Sequence, residues 1–309
     1  MNELPSQDAL TPADFATDQE VRWCPGCGDY AVLKAVKTVL ADVGAQRENT
    51  VFISGIGCSS RFPYYIDAYG FHTIHGRAPA FATGVLLANP DLDVWVITGD
   101  GDGLSIGGNH LMHILRRNVN CQILLFNNET YGLTKGQYSP TSRVATRSPS
   151  TPSGSIDHPV DPAQYALGCG ANFVARAVDT QVKQLVEVLK AAYRHPGAAF
   201  VEIFQNCIVF NEDVFDDFTA RANVADNQIQ VQDGEPLVYG IDGGNALAFD
   251  PDILGLKTVT GSTGDGASPL THDVTNHNLA FALARMARPA FPMATGVLYD
   301  SPEPAYEAE

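Results

Sequence analysis

Charge is scarce in this 309-residue chain, and basic charge scarcest. Asp, Glu, Lys and Arg make up 17% of it, against about a quarter of an average protein. Only 19 Lys and Arg stand against 35 Asp and Glu, for a net charge of −16. Such a chain repels phosphate backbones, which excludes nucleic acid as a partner. No apolar run reaches the ~18 residues of a membrane-spanning helix, so no membrane is expected. The opening MNELPSQDALTPADF is acidic and has no apolar core, which argues against a signal peptide and for a cytoplasmic protein. In that compartment six cysteines are reduced thiols or metal ligands rather than disulfides. Internal repeats and low-complexity tracts are also missing. What is present is a hydrophobic content of 45%, enough to bury a real core and to exclude wholesale disorder. Low charge at this size also points to a surface partly covered by other subunits.

The apolar pattern alternates between helical and strand periods. Asp29 to Val43 carries one apolar face and predicts a helix. Val51 to Ser54, Asp93 to Thr98, Cys121 to Phe126 and Ala198 to Phe204 are short continuous apolar runs, read as buried strands. Ala78 to Ala88, Ser105 to Arg117 and Gln181 to His195 read as the helices between them. Alternation of this kind predicts an α/β fold, a parallel sheet with helices on both faces. Asn127 to Pro159 reads as one long loop, and so long a loop inside a compact domain is usually functional. Residues 1–20 read as a polar arm and 21–210 as the main domain. Residues 211–309, rich in Asp, Asn, Gly and Pro with one helix near Leu279 to Ala287, read as a C-terminal extension.

Ile97-Thr98-Gly99-Asp100-Gly101-Asp102-Gly103 follows a strand and precedes a helix. In an open α/β sheet ligands bind at the carboxyl ends of strands. A helix N-terminus there favours phosphate, and glycines let the backbone approach it. The next strand ends in Asn127-Asn128, 25 residues beyond Gly101 (positions 102 to 126). A carboxylate on one strand end and an amide on the next can grip one divalent ion, and hard oxygen ligands suit Mg²⁺ with diphosphate oxygens. Competing motifs fail: the dinucleotide fingerprint lacks its third glycine, the EF-hand glutamate position is Leu111, and no G-K-[ST] is present.

GDG followed at this distance by NN resembles the thiamine diphosphate signature. With WCPGCGDY, GIGCSSRFPYY and NNETYGLTKGQYSPTS, the chain closely resembles the β subunits of 2-oxoacid:ferredoxin oxidoreductases, the 2-oxoglutarate type most of all. The likeness is strong from Val21 to Asn211 and loose in the tail. It implies Mg²⁺ held by Asp100, Asn128 and the Thr130 carbonyl. It implies thiamine diphosphate among Ile56, Gly57, His75, Gly99, Gly101, Asp102, Tyr131 and Gly132.

Cys24-Pro25-Gly26-Cys27 alone fits a zinc knuckle, a redox dithiol or half an iron–sulfur site. No second CxxC or CxxH follows for zinc, and a polar arm rather than a strand precedes it. Cys58 and Cys207 fall at strand ends on the edge proposed for the cofactor. Four thiolates from three segments suit one 4Fe–4S cubane, although spacing alone does not separate iron–sulfur from zinc. The resemblance assigns the same four. Cys121 and Cys169 read as small buried residues. His110 and His113, three apart on one helix, read as packing or hydrogen-bonding groups.

Arg61, three residues past Cys58, is a candidate to grip a distal substrate carboxylate in bidentate fashion. Leu133 and Lys135 are further pocket candidates. The resemblance implies oxidative decarboxylation of 2-oxoglutarate with coenzyme A to succinyl-CoA and carbon dioxide, with ferredoxin reduced. It also implies an α subunit that supplies the carboxylate activating the aminopyrimidine, and an isolated chain that is inactive. A pyruvate or broad-specificity oxidoreductase, a non-redox thiamine enzyme and a zinc-stapled scaffold are the alternatives.

Overall fold

The computed structural model describes residues 10–260 and 268–308; positions 1–9 of the expected arm lie outside the described residues. In chain order the strands are β1 (Thr50–Ser54), β2 (Tyr69–His72), β3 (Asp93–Gly99), β4 (Cys121–Asn127), β5 (Phe173–Val178), β6 (Ala199–Phe204) and β7 (Gln228–Val231), then β8 (Val238–Tyr239), β9 (Asn245–Asp250), β10 (Gly255–Thr260) and β11 (Met293–Asp300). The helices are α1 (Asp29–Asp42), α2 (Ala78–Ala88), α3 (Gly108–Arg117), α4 (Pro162–Gly168), α5 (Val182–Arg194), the single turns α6 (Asp216–Thr219) and α7 (Val224–Asn227), and α8 (His277–Ala284).

Eight strands form the principal sheet in the order β2-β1-β3-β4-β6-β5-β11-β7. The six strands from β2 to β5 are mutually parallel, as the apolar runs predict. The far edge differs: β11 pairs antiparallel to β5, and β7 lies parallel to β11. Two strands of the sheet therefore come from the segment after residue 211, whose Gly- and Asp-rich text hides them. A separate antiparallel sheet, β10-β9-β8, comes from the same segment.

Side chains alternate along each central strand and feed two cores. Val94, Val96, Ile123 and Leu125 face α2, α3, α4 and α8. Trp95, Ile97, Leu124 and Phe126 face α1 and α5. Both faces of the sheet are thus covered, which is why the strands read as unbroken apolar runs. The helix expected from Ser105 starts its regular α-turns only at Gly108. Before it, Asp102–Ile106 forms a π turn, a feature frequent at functional sites.

The chain crosses from one side of β1 to the other between β2 and β3. That reversal of strand order opens a crevice at the carboxyl ends of β1 and β3. Four loops meet there: Gly55 to Cys58 after β1, Gly99 to Gly101 after β3, Asn128 onwards after β4, and Gln205 to Cys207 after β6. The Cys24–Cys27 turn reaches the same edge. Trp23 Nε1 donates to the Cys58 carbonyl at 2.7 Å, and the Gly28 amide donates to the Asn206 carbonyl at 3.3 Å.

Candidate functional site

The crevice holds a cavity of about 270 Å³, walled by the loops after β1, β3 and β4. Asp100 stands on its floor, 3% exposed. One carboxylate oxygen, Oδ2, accepts from Ser139 Oγ at 2.5 Å and Thr141 Oγ1 at 2.6 Å. Burial pushes the Asp100 carboxyl up to about 6, and the two hydroxyls pull against that rise. A buried carboxylate that is costly to ionise in the bare protein is stabilised by a cation beside it, so this position fits a metal ligand.

The two asparagines after β4 have different surroundings. Asn127 is buried among protein partners: its Nδ2 donates to Glu202 Oε1 at 2.8 Å, and its Oδ1 lies 2.9 Å from Thr141 Oγ1. Glu202 is held at 2.8 Å by Arg176, which reaches Asp161 at 2.7 Å. A polar chain from Arg176 through Glu202, Asn127 and Thr141 thus ends on Asp100. Asn128 faces the cavity instead, with Nδ2 donating to Gln205 Oε1 at 2.8 Å. Between Asn128 and Thr130, Glu129 takes a left-handed backbone, φ 52°, uncommon outside glycine. Ser142 Oγ, donating to the Glu129 carbonyl at 2.6 Å, and Asn211 Nδ2, donating to the Asn128 carbonyl at 2.9 Å, hold the turn. The Thr130 carbonyl accepts from the Gly132 amide at 3.1 Å, which leaves it a second lone pair.

Gly101 allows this loop to close. A Cβ there would collide with the ring of Tyr131, whose hydroxyl donates to the Gly101 carbonyl at 3.4 Å. Asp102 is turned into the protein: Oδ1 accepts from the amides of Gly76 and Ile56, and Oδ2 from Thr98.

A second cavity of about 220 Å³ adjoins the first, and Cys24, Cys27, Cys58 and Cys207 all line it. The two share Cys58, Asn128, Gly132 and Leu133 as a common wall. A Cβ on Gly132 would lie 3.6 Å from both Cys58 Sγ and Cys207 Sγ, so these sulfurs converge on one point of the loop. Burial pushes the Cys58 thiol up to about 11, with Asp29, Cys207 and Cys24 adding to the rise and Arg61 opposing it. Cys27 is raised further by burial, by Asp29 and by its fellow cysteines. Bare, the Cys27 and Cys58 thiols stay protonated; as thiolates they need a positive centre beside them. Among the described residues no group of three or more His, Cys, Asp or Glu is gathered around a single metal ion; a 4Fe–4S cubane, with a separate iron for each thiolate, needs wider spacing than one shared ion does.

Every residue assigned to the site from the sequence lines one or both cavities. Ile56, Gly57, His75, Gly99, Asp100, Gly101, Asp102, Thr130 and Tyr131 line the first, and Cys24, Cys27, Cys207, Arg61 and Lys135 the second. Arg61 Nη1 donates to the Arg22 carbonyl at 3.3 Å. His110, His113, Cys121 and Cys169 line neither. Ser139 and Thr141 were missed, as were Trp23 and Gln205. The hydroxyls stand in the SPTS run that carries the resemblance, but nothing local says that they turn back onto Asp100.

Residues 55–203 match the family described as "Thiamine pyrophosphate enzyme, C-terminal TPP binding domain". The parallel sheet is therefore that of a thiamine diphosphate-binding domain. Over 278 residues, 89% of this chain and 73% of the relative, the sequence is 55% identical to the 2-oxoglutarate oxidoreductase subunit KorB of Mycobacterium tuberculosis. It is 46% identical over 200 residues, 65% of this chain and 63% of the relative, to the β subunit of 2-oxoacid:ferredoxin oxidoreductase 1 of Aeropyrum pernix. The solved 2-oxoglutarate:ferredoxin oxidoreductase from Magnetococcus marinus, with 2-oxoglutarate, coenzyme A and succinyl-CoA bound, superposes with a TM-score of 0.79 at 37% identity, covering 98% of this chain and 89% of that one. The chain belongs to the β-subunit family of the 2-oxoacid:ferredoxin oxidoreductases, and is an oxidoreductase subunit. Among the described residues no helix is long and apolar enough to cross a membrane.

Proposed function

We propose that this chain is the β subunit of a cytoplasmic enzyme that oxidatively decarboxylates 2-oxoglutarate with coenzyme A, giving succinyl-CoA and carbon dioxide and passing electrons to ferredoxin. The observation that carries the reading is the common wall. The cavity over Asp100 and Asn128 touches, through Cys58, Asn128, Gly132 and Leu133, a cavity lined by four cysteines. Thiamine diphosphate, when bound, supplies a carbon nucleophile and a store for the electrons left by decarboxylation. A 4Fe–4S cluster, if held by the four cysteines of the second cavity, would supply a one-electron acceptor beside the first.

The residues take their roles from where they stand. Asp100, Asn128 and the Thr130 carbonyl would hold Mg²⁺ for the diphosphate. Gly99, Gly101, Tyr131 and Gly132, with Ile56, Gly57 and His75 opposite, shape the cofactor cavity and exclude water. Cys24, Cys27, Cys58 and Cys207 would ligate the cluster. Arg61 and Lys135, beside Leu133 at the rim of the cysteine cavity, offer positive charge to the distal carboxylate of a dicarboxylic substrate. The acidic residues lining the first cavity are Asp100 and Asp102, and both already have partners, so an α subunit supplies the activating carboxylate. With a strong reductant the same site runs in reverse as a carboxylase.

The test is reduction of a low-potential acceptor that depends on both 2-oxoglutarate and coenzyme A. It is expected from the chain purified with its α subunit and not from the chain alone. Arg61→Ala should lower activity on 2-oxoglutarate by about tenfold or more, the scale of one charged contact, and spare short 2-oxoacids. Equal losses on both would remove Arg61 from substrate selection; activity of the isolated chain would contradict the two-subunit site.

A further inference from the structure

Asp102 is the second acidic residue of Gly99-Asp100-Gly101-Asp102, and its surroundings differ from those of Asp100. The residue is 6% exposed, and its carboxylate is occupied by protein donors. Oδ1 accepts from the Gly76 amide at 2.7 Å and the Ile56 amide at 3.1 Å; Oδ2 accepts from Thr98 Oγ1 at 2.8 Å. These donors belong to three separate segments: the loop after β1, the loop between β2 and α2, and the end of β3. The backbone is packed just as closely around it. The Asp102 carbonyl accepts from the Gly107 amide at 3.0 Å. A Cβ on Gly55 would run into the Asp102 carboxylate, one on Gly76 (φ 65°) into the Gly107 backbone, and one on Gly107 into the Asp102 carbonyl.

Each segment tied to Asp102 supplies part of a cavity wall. The first carries Ile56, Gly57 and Cys58, the second His75, and the third Gly99 and Asp100. Cys58 also lines the cysteine cavity. A carboxylate placed against an anionic diphosphate repels it, whereas one saturated by amide and hydroxyl donors acts through the backbone it holds. We propose that Asp102 is a positioning residue: it braces three loops into the wall common to both cavities, and it does so as a hydrogen-bond acceptor rather than as a charge offered to the cofactor. This rests on the thiamine diphosphate reading of the first cavity.

An acceptor role predicts a specific pattern of rescue. Asparagine keeps one oxygen for the two amides, and the Thr98 hydroxyl can turn to accept from its Nδ2. Alanine keeps nothing. The experiment uses the full chain purified with its partner subunit, with Mg²⁺–thiamine diphosphate titrated calorimetrically and amide hydrogen exchange followed by mass spectrometry. Asp102→Asn should bind the cofactor within about threefold of the parent, and Asp102→Ala at least ~30-fold more weakly, as expected for several lost hydrogen bonds. Exchange should quicken in Asp102→Ala across residues 54–59 and 73–77 while the core strands keep their protection. Asparagine as damaging as alanine would mean that the charge itself acts, and would overturn the proposal. So would alanine with parental affinity and exchange. If Asp102→Ala does not fold, Asp102→Asn and Thr98→Val decide: parental binding by the first and weaker binding by the second support the brace, and any other pairing overturns it. If the parent binds no thiamine diphosphate, the cofactor reading has failed, and the exchange data alone test the brace.

Discussion

At the scale of single residues the site depends on how one buried carboxylate is held. Asp100 is legible in the sequence because GDG and NN stand at a spacing that sheet geometry makes meaningful. Ser139 and Thr141 are not legible, because their contact with Asp100 comes from the path of a long loop rather than from any local period. That contact has a measurable consequence. Thr141→Val keeps the shape of the side chain and removes a donor from a charged group, worth about 1.5–3 kcal/mol. Mg²⁺–thiamine diphosphate binding should weaken by roughly 10- to 100-fold in a calorimetric titration. Affinity unchanged in Thr141→Val would mean that the hydroxyl does not hold Asp100 in its metal-binding position.

At the scale of elements, the parallel strands and main helices follow from their apolar runs, and the edges of the sheet do not. Strand β2 is four residues long and exposed throughout, so no alternation marks it. Strand β5 escapes notice because Arg176 interrupts its apolar run, and β11 because Gly296 (φ 105°) does. Arg176 is buried there because Glu202 on β6 and Asp161 at the start of α4 neutralise it. Removing it leaves Glu202 ionised in the interior without its cation, beside an Asp161 that is only partly exposed. Arg176→Met should cost about 3–5 kcal/mol of unfolding free energy, the usual penalty for half a buried pair, read from a denaturant titration. A loss below ~1 kcal/mol, the scale of an exposed pair, would show that the pair does little for the fold. Because Glu202 also holds Asn127, the same variant should weaken cofactor binding.

At the scale of the whole molecule, scarce charge and a patch of exposed apolar side chains belong together. Tyr69 and Phe71 on β2, Ile74 just after it, Phe81 on α2 and Ile106 are all exposed, and Ile106 also lines the first cavity. Surfaces of this kind mark protein contacts, and an α subunit seated there would close the cavity. The low charge content visible in the sequence pointed to such a covering; the location of these side chains needed the fold, because Ile106 lies well beyond residues 69–81 in the chain. The central claim is that the two adjoining cavities hold thiamine diphosphate and an iron–sulfur cluster. The most direct measurement is anaerobic purification of the chain with its partner, followed by an absorption spectrum and assay of iron, acid-labile sulfide, zinc and thiamine diphosphate. The prediction is broad absorbance near ~400 nm from iron–sulfur thiolates, iron and sulfide in equal amounts at one 4Fe–4S cluster per chain, and bound thiamine diphosphate. Zinc without iron, or thiamine diphosphate with no such absorbance, would contradict it.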